Sequence, residues 1–202
     1  MTEVILDLAG ARCRGIYYLV SGVPIVFLHG YSFTSSVWQR INIIAALVEK
    51  HVPFLALDMP YGQKSDCKPK SRSTEININV LRAAVEQVFD SAIPFLVGAS
   101  LGGHIALQYA ARFPVKGLML LGATRVFQGE LAKAYGKFHF PVCITIGSKD
   151  RIASLQELRN LAGRLPEGEL KVYENASHAS YLDSSDRFKK DLFEFYTRAV
   201  EK

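Results

Sequence analysis

Short runs of purely apolar residues recur along the chain, and they constrain its fold more than any other feature. The runs Ile-Val-Phe-Leu at 25–28 and Phe-Leu-Ala-Leu at 54–57 contain no polar residue. A strand with one solvated face alternates polar and apolar side chains, whereas a strand that is apolar throughout is covered on both faces. These runs therefore predict the central strands of a mostly parallel sheet with helices on both faces.

Further strands and helices alternate with these two runs. Additional strands are predicted at residues 93–97, 115–121, 142–146 and 170–173, with an N-terminal hairpin at 4–8 and 12–20. Helices are predicted from Ser35 or Ser36 to about residue 50, and at 74–90, 101–113, 155–165 and 185–199. Residues 59–73 are polar and rich in Gly, Pro and Ser, which predicts a loop. Residues 1–202 are expected to form one α/β domain.

The pentapeptide Gly98-Ala99-Ser100-Leu101-Gly102 stands between a predicted strand and a predicted helix. It matches G-x-S-x-G, in which a sharp strand-to-helix turn lifts a serine hydroxyl clear of the sheet. Such a turn strains the serine backbone and brings neighbouring backbone close, and the two glycines leave room for that approach. An ordinary glycine-rich turn would carry the same residues, but the context favours Ser100 as a nucleophile.

A serine nucleophile needs a general base, and the base needs a carboxylate that orients it. Among the five histidines, His178 follows a predicted strand at the same edge of the sheet as Ser100, so it is the predicted base. His29 directly precedes Gly30 and is expected to shape a backbone turn. His104 lies in the helix after Ser100, where a structural role is expected.

Asp150 is the predicted acid, because it follows the strand 142–146 and gives the chain order Ser, Asp, His. Its alternative role is that of a loop carboxylate capping the helix near Ser154. Asp58 also follows a strand and is interpreted as a structural turn residue. Asp183 comes after the histidine and is expected to face solvent.

Two main-chain N–H groups are expected to bind an oxyanion. One belongs to Leu101, at the positive end of the helix after Ser100, and the other to Tyr31, in the loop after the strand 25–28. A modest apolar acyl site is expected from side chains that lie in loops, namely Phe33, Phe127, Ile152 and Tyr181. We expect neither a metal ion nor a cofactor.

Composition and charge argue against several other classes of protein. No apolar run reaches the roughly 18–20 residues of a membrane span, and the N-terminus lacks the pattern of a signal peptide, so a cytoplasmic protein is expected. The net charge of +5 is spread along the chain, without the aromatic-interleaved basic stripe of a nucleic-acid-binding protein. The three cysteines are scattered, so Cys13 and Cys143 are expected to be buried thiols and no disulfide framework is expected.

One basic cluster stands out, the segment 64–72 with Lys64, Lys68, Lys70 and Arg72, referred to below as the basic loop. A solvated loop is one interpretation. A rim that attracts anionic substrates is the other.

Five segments in chain order resemble those of the α/β-hydrolases, and together they cover nearly the whole chain. Residues 29–38 resemble the oxyanion loop, 58–65 the strand-4 turn, 98–102 the nucleophile elbow, 147–150 the acid segment and 175–178 the histidine segment. Within this superfamily the chain is most similar to the small group of abhydrolase-domain 14 proteins, on residues 33–38, 57–60 and 178–183. The resemblance implies the α/β-hydrolase fold without a cap domain and activity on small acyl esters. Lys64 departs from the pattern, since a second glycine usually stands there.

These observations predict a carboxylesterase-type serine hydrolase that acts on a small-molecule acyl ester through an acyl-serine intermediate. Acyl transfer to another acceptor, or cleavage of an amide or lactone by the same residues, is the alternative, and a non-catalytic ligand-binding protein is a more remote one. Residues 122–140, between two predicted strands, are too few for a cap domain, so an open site is expected. The sequence carries no prediction of the oligomeric state.

Overall fold

The computed structural model describes residues 1–201, which form two compact units, Met1–Leu96 and residues 97–201. The boundary between the units lies within one strand, β6 (Phe95–Ala99). That the chain is one domain stays a prediction.

The first unit consists of a small mixed sheet and three helices. Its strands are β1 (Thr2–Leu8), β2 (Ala11–Tyr18), β3 (Ile25–Leu28), β4 (Phe54–Leu57) and β5 (Cys67–Lys68). Its helices are α1 (Val37–Arg40), α2 (Ile43–Glu49) and α3 (Thr74–Phe89). The strand order is β1-β2-β4-β3, in which β2 is antiparallel to β1 and β4, and β3 is parallel to β4. The predicted hairpin and both purely apolar strands are confirmed.

The single helix predicted up to residue 50 is wrong, because it is interrupted at Asn42. This residue has φ 58° and ψ 20°, a left-handed conformation that asparagine tolerates better than most residues. The interruption turns the chain between α1 and α2, so that Trp38 on one helix and Leu47 on the other are both fully buried. Burial of these two side chains, rather than a continuous helical period, determines the local path.

The second unit alternates strands and helices. Its strands after β6 are β7 (Gly117–Leu121), β8 (Val142–Gly147) and β9 (Gly168–Tyr173), which run parallel in that order. Its helices are α4 (Leu101–Ala110), α5 (Leu131–Ala134), α6 (Leu155–Arg164), α7 (Ser180–Asp183) and α8 (Ser185–Val200). Every residue of β7 and β8 is buried, as their apolar sequences predict.

The segment between β7 and β8 holds no cap domain within the residues described. It contains only the four-residue α5 and a 3₁₀ turn at Tyr135–Lys137. Tyr135 is fully buried and contacts Phe127 and Phe138 edge to face, so the segment folds onto its own small aromatic cluster. Across residues 1–201, no helix is both long and apolar enough to cross a membrane.

The expected absence of a disulfide is wrong, because Cys13 and Cys67 are bonded to each other. Strand β5, which lies inside the predicted loop 59–73, pairs antiparallel with β2 and sets these two residues directly opposite. Cys143 is a buried free thiol, as expected. A persistent disulfide is typical of oxidising compartments. The disulfide therefore gives no support to the expected cytoplasmic location, which stays a prediction.

The disulfide joins residues 54 positions apart, so its removal frees a long loop in the unfolded chain. We expect Cys67→Ser to lower the free energy of unfolding by about 2–4 kcal/mol, measured by urea denaturation. Dithiothreitol should destabilise the wild type and leave the variant unchanged, which serves as the control. Freshly denatured wild-type protein should expose one titratable thiol, and three would contradict the assignment.

Candidate active site

Ser100 lies in a turn between β6, which ends at Ala99, and α4, which begins at Leu101. Its backbone has φ 52° and ψ −113°, a strained conformation for a residue with a side chain. A Cβ atom on Gly98 would lie 2.6 Å from the Gly102 carbonyl oxygen, a distance that real Cβ atoms do not adopt. The turn therefore admits only glycine at position 98, as the pentapeptide predicts.

The backbone of Ser100 is anchored to the end of β7 and the residues that follow it. Its N–H donates to the carbonyl oxygen of Leu121 at 2.9 Å, and its carbonyl oxygen accepts from the N–H of Thr124 at 3.3 Å. On the helix side, the N–H of Gly103 donates to the same Ser100 oxygen at 3.0 Å. These bonds hold the strained turn in place, so the position of the Ser100 hydroxyl is set by backbone rather than by side-chain packing.

His178 makes a hydrogen bond with each of its ring nitrogens. Its Nε2 lies 2.9 Å from Ser100 Oγ, and its Nδ1 lies 2.8 Å from Asp150 Oδ2. A carboxylate only accepts hydrogen bonds, so Nδ1 carries the proton and Nε2 is free to accept from the serine hydroxyl. The Asp150 side chain is 1% exposed and that of His178 is 21% exposed. The structure thus brings the three predicted residues into one hydrogen-bonded chain.

The second oxygen of Asp150 is also fixed. Oδ1 accepts the main-chain N–H groups of Ile152 at 2.8 Å and Ala153 at 2.9 Å. Helix α6 is capped by Ser154 itself, whose hydroxyl accepts from the N–H of Glu157 at 3.2 Å. Asp150 is therefore no cap of α6, and the local turn that it closes locks the carboxylate while leaving Oδ2 for His178.

The loops that carry Asp150 and His178 are joined by main-chain hydrogen bonds. The N–H of Ser148 donates to Tyr173 at 2.9 Å and that of Lys149 donates to Ala176 at 2.9 Å. A Cβ atom on Gly147 would overlap the carbonyl oxygens of Ala176 and Ser177. Glycine at the end of β8 thus lets the two loops approach to backbone contact, which places the carboxylate and the imidazole within one hydrogen bond.

Strand β9, which leads into the histidine loop, is fastened to helix α8 by a partly buried polar cluster. Asp191 on α8 accepts from the Tyr173 hydroxyl and from the Lys171 ammonium group, both at 2.7 Å. Burial and the neighbouring carboxylate raise the pKa of Tyr173 far above its ordinary value. Tyr173 therefore stays protonated and donates to Asp191, and this bond joins the end of β9 to α8.

Asp183 is a site residue that the sequence reasoning missed. It was expected to face solvent, and it is exposed, but its Oδ2 accepts from both the N–H and the hydroxyl of Ser177 at 2.6 Å. These bonds lower the pKa of Asp183 below its ordinary value. Because Ser177 directly precedes His178, Asp183 steadies the loop that presents the imidazole. The sequence offers only the spacing Ser-His-x-x-x-x-Asp as a signal. That spacing does not distinguish a carboxylate that holds the loop from one that only faces solvent.

Four further predicted site residues lie in the second unit. Leu101 is the first residue of α4, where a main-chain N–H has no acceptor within its own helix. Ile152 is 67% exposed, whereas Tyr181 is 2% exposed and packs edge to face with Phe188. Phe127 is partly buried against Tyr135, with the guanidinium of Arg164 5.2 Å from its ring centre. Ile152 thus offers far more surface to a ligand than Tyr181 does.

Tyr31 and Phe33 lie in the first unit, in the loop after β3. Tyr31 is 36% exposed, and its carbonyl oxygen accepts the N–H of Gln63 at 2.8 Å. The N–H of Phe33 donates to Gly30 at 3.0 Å. The tight turn formed by this bond fixes the path of the loop that carries both residues.

His29 and Asp58 have the structural roles that were expected of them. His29 is fully buried, with Nδ1 donating to the Gly30 carbonyl oxygen at 2.8 Å and Nε2 accepting from the N–H of Met59 at 3.0 Å. Burial lowers its pKa, so the ring is neutral. Asp58 accepts main-chain N–H groups from Ser35 at 2.5 Å and Asp66 at 2.6 Å. Both side chains organise the loop around Tyr31.

Known proteins resemble this chain over most of its length. A family model described as the Alpha/beta hydrolase family matches residues 25–142. Protein ABHD14A of Danio rerio is 28% identical over 179 residues, which cover 87% of this chain and 65% of that protein, so the chain spans just under two thirds of its length. The putative protein-lysine deacylase ABHD14B of Rattus norvegicus is 26% identical over 176 residues, covering 85% of this chain and 81% of that protein.

A solved structure shows the same fold. The predicted CIB-like hydrolase of Thermoplasma acidophilum superposes with a TM-score of 0.87 at 21% identity, over 96% of this chain and 97% of that one. The chain thus has the α/β-hydrolase fold, with a mostly parallel sheet and helices. From the family model, which matches more than half of the residues, it follows that this chain belongs to the alpha/beta hydrolase family.

Proposed function

We propose that this protein is a serine hydrolase of the carboxylesterase type, acting on small acyl esters. The observation that carries the proposal is the hydrogen-bonded chain from Ser100 Oγ through the His178 imidazole to Asp150 Oδ2, with donor–acceptor distances of 2.9 and 2.8 Å. These distances are within the range required for proton transfer between a nucleophile and its base. Membership of a hydrolase family supports the same reaction class.

The proposed reaction begins when Ser100 Oγ attacks the carbonyl carbon of the ester and His178 Nε2 takes the hydroxyl proton. The carbonyl electron pair moves onto its oxygen, and we assign the main-chain N–H groups of Tyr31 and Leu101 as donors to that oxyanion. Collapse of the tetrahedral intermediate breaks the bond to the alcohol, which leaves with the proton from Nε2. Asp150 keeps its charge throughout and stabilises the imidazolium through Nδ1.

Water completes the cycle. It loses a proton to Nε2 as it attacks the acyl carbon, and the second tetrahedral intermediate releases the carboxylic acid while Ser100 recovers its proton. Each loss of an oxyanion donor typically costs about 10²–10³-fold in rate, because the charge develops only in the transition state. In the second unit, we assign the exposed side chain of Ile152, two residues after the acid, to the border of the acyl group.

A second candidate function uses the same acyl-serine intermediate, but the acyl group comes from an amide or passes to an acceptor other than water. The name of the Rattus norvegicus relative, a putative protein-lysine deacylase, favours an amide substrate or acyl transfer. In the first unit a cavity of about 360 Å³ is bordered by Tyr31, Lys70 and Arg72, so the basic loop contributes cations beside a proposed oxyanion donor. Adding thiols or amines during turnover would yield acylated acceptors if the enzyme transfers acyl groups, and hydrolysis products alone would exclude acyl transfer.

Replacing the nucleophile provides the direct test. A fluorophosphonate probe should label the wild type at Ser100, and Ser100→Ala should lose both the label and roughly 10⁴–10⁶-fold in kcat, because the covalent step has no other acceptor. Thermal unfolding of both proteins controls for folding. Equal labelling of the two would refute the proposal, and the absence of labelling in folded wild type would favour a non-catalytic ligand-binding protein.

The size of the acyl group can be measured with p-nitrophenyl esters of increasing chain length. We expect kcat/KM to be highest for short chains, since the segment between β7 and β8 folds onto its own aromatic cluster and adds no cap to enclose a long one. Each added methylene that found a pocket would gain up to about 0.8 kcal/mol, so a steady rise with length would contradict this expectation.

The role of Asp183 is tested by Asp183→Ala, which removes the acceptor of both Ser177 bonds. We expect kcat to fall by up to about 10²-fold, because a misplaced imidazole slows the chemical step. KM should change little, because Asp183 acts through the histidine loop rather than on the substrate. The pKa of Asp183 lies below its ordinary value, so the carboxylate is ionised and keeps both Ser177 bonds throughout the neutral range. The loss of kcat in the variant should therefore be the same at every pH in that range. Asp186→Ala is the matched control, since the Asp186 carboxylate pairs with Lys189 on α8 rather than with Ser177. An equal effect of both variants would exclude a specific role for Asp183.

A further inference from the structure

Gly122, the residue after β7, lies against the hydrogen bond between Asp150 and His178. A Cβ atom built on it would be 3.1 Å from the His178 carbonyl oxygen, 3.2 Å from Asp150 Oδ2 and 3.3 Å from His178 Nδ1. The last two are the acceptor and the donor nitrogen of the 2.8 Å bond that orients the imidazole. A methyl group at this position would therefore crowd both ends of that bond at once.

The Asp150 carboxylate has little room to retreat from such a methyl group. The Asp150 side chain is 1% exposed, and its other oxygen is held by the N–H groups of Ile152 and Ala153. Contacts of 3.1–3.3 Å are closer than ordinary van der Waals contact, so a methyl group would have to displace the carboxylate, the imidazole or its own backbone by a few tenths of an ångström. The backbone of Gly122 is itself fixed, because its N–H donates to the Thr145 carbonyl oxygen at 2.8 Å.

The conformation of Gly122 also favours glycine. Its φ is +54°, in the left-handed region that side chains rarely adopt. The preceding residue, Leu121, accepts the N–H of Ser100 at 2.9 Å. The two residues at the end of β7 thus support the nucleophile on one side and the acid–base pair on the other.

We propose that Gly122 is a positioning residue of the active site, whose missing side chain sets the contact between Asp150 and His178. It touches no substrate and acts through the orientation of the imidazole. The inference rests on the proposed function, in which that orientation decides how well Nε2 takes the Ser100 proton. A methyl group at 122 should lower kcat and leave KM almost unchanged.

The chain offers a matched control in Gly129. It lies in the same segment between β7 and β8 and has φ +66°, but a Cβ atom on it would meet nothing within 4 Å. Gly122→Ala and Gly129→Ala therefore impose similar backbone strain and differ in their neighbours. We expect Gly122→Ala to lower kcat for a p-nitrophenyl ester, and the rate of fluorophosphonate labelling, by about 10-fold or more, with Gly129→Ala close to wild type.

A second readout does not depend on turnover. The proton on His178 Nδ1, bonded to a carboxylate, gives a far-downfield NMR resonance that Asp150→Ala identifies by abolishing it. We expect this resonance to shift or disappear in Gly122→Ala and to stay in Gly129→Ala. Equal kcat and an unchanged resonance in both glycine variants would overturn the inference. If wild type shows the resonance but no labelling or esterase activity, the proposed function fails while the positioning role is still tested by NMR.

A double variant covers the case in which Gly122→Ala does not fold. In the Asp150→Ala background the crowded carboxylate is absent and the bond that orients the imidazole is already lost, so adding Gly122→Ala should cost little further activity and less folding stability than it does alone. Folding of the double variant where the single one fails supports the contact with Asp150. If neither folds although Gly129→Ala does, Gly122 is needed for its own backbone and its contact with the His178 carbonyl oxygen rather than for the acid–base pair, and the inference is overturned.

Discussion

The close approach of two loops, those after β8 and β9, is the constraint on which the candidate site depends. Main-chain bonds from Ser148 and Lys149 to Tyr173 and Ala176 join the loops, and this approach is possible because Gly147 has no side chain. A hydrogen bond between a carboxylate and an imidazole needs placement to a few tenths of an ångström. Loops held by their own backbone achieve this better than flexible side chains would.

The strained backbone of Ser100 is stabilised by its main-chain hydrogen bonds. Its positive φ costs free energy that the surrounding structure has to offset, and the bonds from its backbone to Leu121 and Thr124 supply that support. The same end of β7 continues into Gly122, which borders the Asp150–His178 pair. The end of β7 therefore lies against all three residues of the hydrogen-bonded chain.

The first unit reaches order by different means. Residues 59–73 look like a solvated loop in sequence, yet buried Asp58, buried His29 and the Cys13–Cys67 bond fold them back onto β2. Within the basic loop, the Lys70 ammonium group donates to the carbonyl oxygen of Gly62 at 2.7 Å and to both oxygens of Ser65. The other three basic side chains of the loop, Lys64, Lys68 and Arg72, are exposed, whereas the ammonium group of Lys70 is held by the loop itself.

The amino-acid sequence is sufficient to predict the alternation of strands and helices and the order of the reactive residues along the chain. The strands at 25–28 and 54–57 were predicted to the residue because every side chain in them is apolar, and the strand-to-helix turn at Ser100 follows from local sterics. Three contacts follow from packing in the folded chain: the Cys13–Cys67 bond, Asp183 with Ser177 six residues away, and Gly122 beside Asp150 and His178. Local sequence patterns reflect the conformational preference and the burial of each residue. A side-chain hydrogen bond or the absence of a methyl group has an effect only after the segments have packed together.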